Sequence, residues 1–372
     1  METILEAINI FLYVYGVFFA MIALLGFGMQ RNKERGYNTG TKISLEEVTV
    51  LIPFRNEEEN LPKLLESIQS LKQLPKRFVF IDDHSEDDSA SLVNAVSDKL
   101  PITLIDLDGN SQGKKFALSE GAKQVATEFT LTWDADVVVA PNYFEGIASL
   151  SEADMYVLPA LFSSKSFLQS LFTFDVVVAN SVNAGLAGWR RPIFASGANL
   201  LYRTSSYQQF DSLKDHGHIS SGDDTFLLRD FLRNKADIRV LTNPNVAIET
   251  NAPATFREYI SQRLRWVSKT NALGDYLNTF IALKQLLLML AFIGLIVWTV
   301  ANSFWFGLGY LLLCKLITDF LVFSAYFKQV KQAKLLLMLP IAELWFPIYS
   351  IFLALLIPFY KPKWKGRTVV SK

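Results

Sequence analysis

The chain has 372 residues, with 36 Lys and Arg set against 36 Asp and Glu, so its formal net charge is +0. That balance argues against sequence-independent nucleic-acid binding, which needs surplus positive charge to release counterions. With 51% hydrophobic residues and a mean hydropathy of +0.23, the chain is neither disordered nor wholly soluble.

The charge is unevenly spread. None lies between Lys284 and Lys315, whereas residues 46–108 are dense with Asp, Glu, Lys and Arg. A charged domain fused to membrane segments accounts for both. The single Cys314 sits in an apolar run and permits no intramolecular disulfide, which is compatible with a reducing compartment.

In chain order, residues 7–29 are uncharged and apolar, long enough to cross a hydrocarbon layer of roughly 30 Å. Glu2 and Glu6 stand where a cleaved signal peptide would carry basic residues, so residues 1–30 are expected to be an uncleaved transmembrane anchor. Arg31, Lys33, Arg35 and Lys42 follow, which places the N-terminus outside and the next domain in the cytoplasm. Residues 43–252 alternate short apolar runs with helical spacing. Strands are expected at 48–53, 78–81, 102–105 and 129–133, and helices at 61–71 and 89–100. This pattern predicts an α/β domain with a mostly parallel sheet, whose ligands bind beyond the carboxyl ends of the strands. Residues 253–280 read as an amphipathic interface helix. Residues 281–360 form a membrane region of about three segments: two spans at 283–301 and 307–327, then an apolar stretch at 335–360. A basic tail, 361–372, closes the chain. The stretch at 335–360 is interrupted by Pro340, Glu343 and Pro347. It either crosses, against the charge of the tail, or folds back as a re-entrant segment.

Six polar clusters carry the chemistry. Pro53-Phe54-Arg55-Asn56-Glu57 and Asp82-Asp83-His84 each follow a strand, where a carboxylate can accept from a base or a ribose. Gly113-Lys114 precedes a helix, a place suited to a pyrophosphate. Trp133-Asp134-Ala135-Asp136 sets two carboxylates at i and i+2 just past a strand, a pattern that suits Mg²⁺ or Mn²⁺ shared with substrate phosphates. In Ser221-Gly222-Asp223-Asp224-Thr225, adjacent carboxylates repel, which raises one toward general-base range. His216 and His218 fit no zinc spacing and read as loop residues. Gln262-Arg263-Leu264-Arg265-Trp266 stands just before the membrane. Each cluster alone is also compatible with a solvated loop or an interfacial anchor.

In this order, from about residue 48 to 266, the clusters closely resemble the membrane-embedded family 2 glycosyltransferases with the GT-A fold. That family includes cellulose, chitin and hyaluronan synthases and ceramide glucosyltransferases. The resemblance implies a Rossmann-like mixed sheet and an inverting hexosyltransferase that draws on a nucleotide-diphosphate sugar, UDP-sugars foremost. It implies that Pro53, Asn56, Glu57, Asp83, Lys114, Asp134, Gln262 and Arg265 hold the donor, and that Asp134 and Asp136 hold Mg²⁺ or Mn²⁺. By the same resemblance, Gly197 (in Ser196-Gly197-Ala198-Asn199) and Trp266 meet the acceptor. Asp224 matches the catalytic base, with Asp223 beside it where the family usually has Glu. The expected acceptor is a membrane lipid or a growing glycan, reached from the cytoplasmic face of a bacterial inner or plasma membrane. A processive polysaccharide synthase is the alternative within the family. Outside it stands a membrane-bound nucleotidyltransferase, which would leave Gln262-x-x-Arg265-Trp266 unexplained.

Overall fold

The computed structural model describes residues 13, 16, 20–21, 23–33, 40–109, 112–211, 222–267, 276–360, 363–364 and 367–368. Most of the expected anchor at 1–30, the pair His216 and His218, Ser221, and most of the tail at 361–372 lie outside the described residues.

The apolar runs form strands because nearly every side chain in them can be buried on both faces. β1 (Val48–Phe54) is buried along its whole length. It is followed by α1 (Leu61–Gln69), β2 (Arg77–Asp82), α2 (Ser89–Asn94) and β3 (Ile102–Asp106). α1 turns Leu61, Leu64, Leu65 and Ile68 inward, the stripe its spacing foretells. The helix expected over 89–100 stops at Asn94. Beyond it the chain closes i to i+3 bonds, and Ser97 Oγ donates to the Asn94 carbonyl at 2.8 Å. Asn, Ser and Asp compete with helical bonding in this way.

After α3 (Lys114–Lys123) come β4 (Phe129–Trp133), β5 (Val137–Val139), α4 (Tyr143–Ala148), β6 (Met155–Val157), β7 (Ala160–Ser163) and α5 (Phe167–Ala187). Then follow β8 (Asn199–Arg203), α6 (Thr204–Phe210), α7 (Asp223–Arg233), β9 (Ile238–Val240) and β10 (Ile248–Asn251). The main sheet has the order β3-β2-β1-β4-β8-β6-β9. Its first four strands are parallel, as expected. β8 lies antiparallel between β4 and β6, so the sheet is mixed. A second, three-stranded sheet, β5-β10-β7, stands beside it.

The chain then builds four further helical pieces: α8 (Phe256–Val267), α9 (Tyr276–Ala301), α10 (Trp305–Gln329) and α11 (Leu339–Leu356). α9 and α10 are long and apolar enough to cross a bilayer, as is the helical run Ala333–Phe359, which contains α11. That run is a single helical segment with Pro347 inside it. α5 also qualifies by length and composition, but 61% of its most apolar window is buried within the protein. It packs against the sheet through Phe174 and Val177, and the same cluster contains Val322, Tyr326, Phe327 and Val330 from the end of α10. The α/β domain and the end of α10 therefore share one core. At the other end of α5, the helical stretch 23–33 crosses it at close range. A Cβ on Gly188 would lie 1.8 Å from the Gly28 carbonyl oxygen, and one on Gly28 would lie 2.0 Å from that of Gly185. Only glycine allows backbones to approach this closely.

Candidate active site at the sheet's switch point

From β1 the strand order runs one way to β2 and β3 and the other way to β4. The carboxyl ends of β1 and β4 therefore diverge into a crevice. Pairing of β1 with β4 ends at Leu51 opposite Thr132, while pairing with β2 continues to Phe54 opposite Asp82. Pro53 sits in that unpaired stretch on the β4 side, where a missing N–H can be tolerated in an otherwise central strand.

The loops after β1 and β2 are tied to each other. Asn56, with φ +50, accepts from Glu86 N at 2.8 Å through its side chain, and its own N donates to Ser85 Oγ at 3.1 Å. Glu57 N donates to Ser89 Oγ at 2.8 Å, and Arg55 donates to the Asp83 carbonyl at 2.9 Å. Asp83 is buried. Its Oδ2 accepts from Gly113 N at 2.9 Å, and His84 Nδ1 lies 3.1 Å from its Oδ1. Gly113 has φ +100, a conformation that favours glycine, and it starts α3 at Lys114. The Asp83 carboxylate thus fixes where Lys114 leaves the loop.

Lys114 Nζ bonds Asp134 and lies 3.6 Å from Asp223. Burial opposes its charge, but these carboxylates outweigh that effect and hold the ammonium well above the usual lysine range. Asp136 accepts from Thr250 Oγ1 at 3.1 Å. Desolvation in the cleft, then repulsion from Asp134 and Glu57, pushes its carboxyl up to about 6. Its side chain still opens to solvent at the rim. Asp134 and Glu57 thus press on Asp136 through their charge, and a bound cation would relieve that repulsion. Among the described residues, no group of three or more His, Cys, Asp or Glu side chains is placed to cage an ion. Asp134 and Asp136 together with substrate phosphates make the kind of donor set Mg²⁺ and Mn²⁺ accept.

Asp223 and Asp224 open α7, directly after Gly222 at φ +85. Asp224 Oδ2 accepts from Gly197 N at 3.0 Å, and its Oδ1 accepts from Thr225 N at 2.6 Å and Thr225 Oγ1 at 3.1 Å. A carboxylate has about four lone-pair sites, so one remains for a further donor. A Cβ on Gly197 would lie 3.0 Å from Asp223 Oδ2 and 3.1 Å from Lys114 Nζ. Gly197 therefore lets the acidic turn approach the lysine. An open recess lies against this turn, lined in part by Thr132, Gly197, Asp223 and Asp224. Asn199, two residues on at the start of β8, is buried and structural. It donates to the carbonyls of Pro159 and Val246 at 2.8 and 2.9 Å, and it accepts from Tyr143 Oη at 2.5 Å.

The structure thus brings Lys114, Asp134, Gly197, Asp223 and Asp224 into one cluster, with Asp136 and Glu57 at its edge. Gln262, Arg265 and Trp266 share one face of α8, by helical spacing. Trp266 is 38% exposed, and Gln262 Oε1 is buried with no hydrogen-bond donor among the described residues. The intervening Arg263 points inward, pairs with Asp175 of α5, and lies 4.8 Å from the Trp266 ring. Asp175 also accepts from Tyr259 Oη, and Tyr259 stacks on Phe172 at 4.0 Å. The sequence points to no role for Asp175 or Thr250, and it marks Arg263 only as part of the Gln262–Trp266 cluster. The i, i+4 spacing of Tyr259 and Arg263 was an available signal for an inward face, whereas nothing near Thr250 marks it.

The mixed sheet, the crevice at its switch point and the paired carboxylates define a GT-A-like architecture. The model of the glycosyl transferase family 2 matches residues 49–234, and the chain belongs to that family. A poly-beta-1,6-N-acetyl-D-glucosamine synthase of Staphylococcus aureus (strain COL) is 30% identical over 142 residues, 36% of this chain and 34% of that protein. The Staphylococcus epidermidis synthase of the same name is 31% identical over 119 residues, 30% of this chain and 29% of its own length. The matched segment thus spans about a third of these curated relatives. Among solved structures, the mannosyltransferase PcManGT from Pyrobaculum calidifontis, in complex with GDP-Man and Mn²⁺, superposes with a TM-score of 0.58 at 13% identity. That match covers 91% of this chain and 98% of the other, and it shows a shared fold. The chain is a glycosyltransferase by family, and the nucleotidyltransferase reading is not favoured.

Proposed function

We propose that the protein is an inverting, metal-dependent hexosyltransferase that moves a sugar from a nucleotide diphosphate to a hydroxyl of a membrane lipid or growing glycan. The observation that carries this reading is the cluster at the switch-point crevice, where Lys114 bonds Asp134 and lies 3.6 Å from Asp223 while the neighbouring Asp224 is held by Gly197 N. Asn56, Glu57 and the loop fixed by Asp83 border the nucleoside end of the donor, with Pro53 beneath them. Asp134 and Asp136 would hold the divalent cation together with substrate phosphates. When bound, that ion supplies positive charge against the leaving diphosphate. Lys114 adds its own charge by turning its ammonium from Asp134 and Asp223 toward the phosphates. Asp224, oriented by Gly197 N and Thr225, takes the proton from the acceptor hydroxyl. The acceptor oxygen forms its bond to the anomeric carbon from the side opposite the phosphate. The carbon–phosphate oxygen bond breaks, and the nucleoside diphosphate leaves with the electron pair. Gln262 and Arg265 cover the diphosphate, and Trp266 offers a face on which an acceptor ring can stack.

The domain lies on the cytoplasmic side of a bacterial inner or plasma membrane in this reading, with residues 43–252 catalytic and 281–360 in the bilayer. The PcManGT complex, by its name, holds GDP-Man and Mn²⁺, which supports a nucleotide-sugar donor and a divalent ion here. Processive chain extension is a second reading, favoured by the polysaccharide synthases among the relatives. Incubating the purified protein with a panel of nucleotide sugars and a lipid extract, then identifying the product by mass spectrometry, tests both. One sugar on a lipid supports single transfer, a ladder of sugars supports extension, and no sugar-bearing product in any combination overturns the proposal.

A further inference from the structure

The backbone that aims Asp224 is itself a glycine turn. Asn199 N donates to the Ser196 carbonyl at 3.0 Å, so residues 196–199 form a β-turn with Gly197 and Ala198 at its centre. Glycine is required at the first of these places, since a Cβ there would meet Asp223 Oδ2 at 3.0 Å and Lys114 Nζ at 3.1 Å. The same lack of a side chain leaves its backbone torsions loose. Yet Gly197 N is the group that donates to Asp224 Oδ2 at 3.0 Å. The direction of that N–H has to be fixed from elsewhere.

Two buried side chains hold this segment. Upstream, Asn183 of α5 accepts from Ile193 N at 2.8 Å and Phe194 N at 3.3 Å, and it donates to the Phe194 carbonyl at 2.8 Å. These bonds pin the incoming chain, but they end at Phe194, short of the turn. At the turn itself, Thr132 Oγ1 donates to the Gly197 carbonyl at 3.0 Å. Its approach to the Leu200 carbonyl is longer, 3.4 Å, and a hydroxyl has one proton to give. Thr132 is 2% exposed, so its hydroxyl has to bond within the protein. The carbonyl that Thr132 holds follows the Gly197 Cα, and the N–H that meets Asp224 precedes it. The two bonds clamp the glycine from both sides.

We propose that Thr132 is a positioning residue for the base: through the Gly197 carbonyl it fixes the N–H that orients Asp224. Thr132 lies on β4, two residues before Asp134. One strand thus places the carboxylate that bonds Lys114 and, through Gly197, steadies the carboxylate assigned to the acceptor proton. A displacement with attack opposite the leaving group depends on the spacing of those two places, and a small misplacement costs rate. The inference rests on the reading of Asp224 as the base, but the anchor on Gly197 is measured without any substrate. Valine keeps the branched shape of threonine and suits a strand, so the hydroxyl can be removed without emptying the core.

The test compares Thr132→Val and Thr132→Ser with the wild type, each as the full-length protein in detergent. Hydrogen–deuterium exchange is read first, by mass spectrometry. Amides of residues 196–199 should exchange about tenfold faster in Thr132→Val and at the wild-type rate in Thr132→Ser. Unchanged exchange in Thr132→Val overturns the anchor. Single-turnover transfer is then followed with the nucleotide sugar and lipid extract that give product. Thr132→Val should slow it about tenfold with donor affinity unchanged by calorimetry, and Thr132→Ser should restore it. In an Asp224→Asn background, Thr132→Val should cost nothing further, because residues that act as one unit are not additive. Wild-type turnover in Thr132→Val, an equal loss in Thr132→Ser, or a repeated tenfold loss in the Asp224→Asn background overturns the positioning role. Wild-type turnover in Asp224→Asn, beside faster exchange in Thr132→Val, would instead count against the base in the proposed function and leave the anchor on Gly197 standing.

Discussion

At the scale of single residues, the account turns on which carboxylate does which work. Asp224→Asn keeps the size but has one accepting oxygen, so it keeps the bonds either to Gly197 N or to Thr225 and cannot take a proton. Turnover should fall by roughly 10²–10⁴ with donor binding kept, as read by single-turnover rates and calorimetry. A dead Asp223→Asn beside an active Asp224→Asn would move the base by one residue. Asp136→Asn removes a charged ligand; Mn²⁺ or Mg²⁺ should then fail to restore turnover after chelation, although the wild type recovers. Full wild-type activity in excess chelator would count against the metal pair. Gly197→Ala places a methyl 3.0 Å from Asp223 and 3.1 Å from Lys114. Turnover should drop while the thermal midpoint moves little, since the lysine tip can shift but its aim on the phosphates cannot survive unchanged.

At the scale of elements, α8 presents two faces. Its inward face is Tyr259 and Arg263 against Phe172 and Asp175, and its outward face carries Trp266. Asp175→Ala leaves Arg263 buried without its partner and should destabilise the fold by about 3 kcal/mol, measured by denaturant unfolding in detergent. Trp266→Ala should leave the unfolding midpoint nearly unchanged and weaken acceptor use more than donor hydrolysis. Equal loss of both would make Trp266 a membrane anchor only. The positions of β1, β2, β3 and β4 were legible because each is an apolar run ended by a polar cluster. α5 was not, because its mixed run of Phe, Val, Ser and Asn has no charge pattern to set it apart from a loop or span. The early end of α2 was hidden because Leu92, Val96 and Leu100 keep helical spacing after the backbone has turned. In the site, the motif residues were readable one by one. The bond of Lys114 to Asp134 and the ties of Asp83 to Gly113 were not, since they join residues from different loops.

At the scale of the molecule, the α/β domain and the long apolar helices share one core where the end of α10 packs with α5. Hydropathy marks spans but not this joint, because Val322 and Phe327 read the same in sequence whether they face lipid or protein. If the run Ala333–Phe359 crosses, Lys361, Lys363, Lys365 and Arg367 end outside. A cysteine at Ser371, in a Cys314→Ser background, should then react with an impermeant thiol reagent on intact cells; labelling only after lysis would place the tail in the cytoplasm. The central claim, a single base-assisted displacement at the switch-point crevice, concerns the whole assembly of donor, acceptor and domain. Its most direct test is the anomeric configuration of the product made from an α-linked nucleotide sugar, read by NMR. The account predicts a β-linkage, and a product that keeps the α configuration would contradict it.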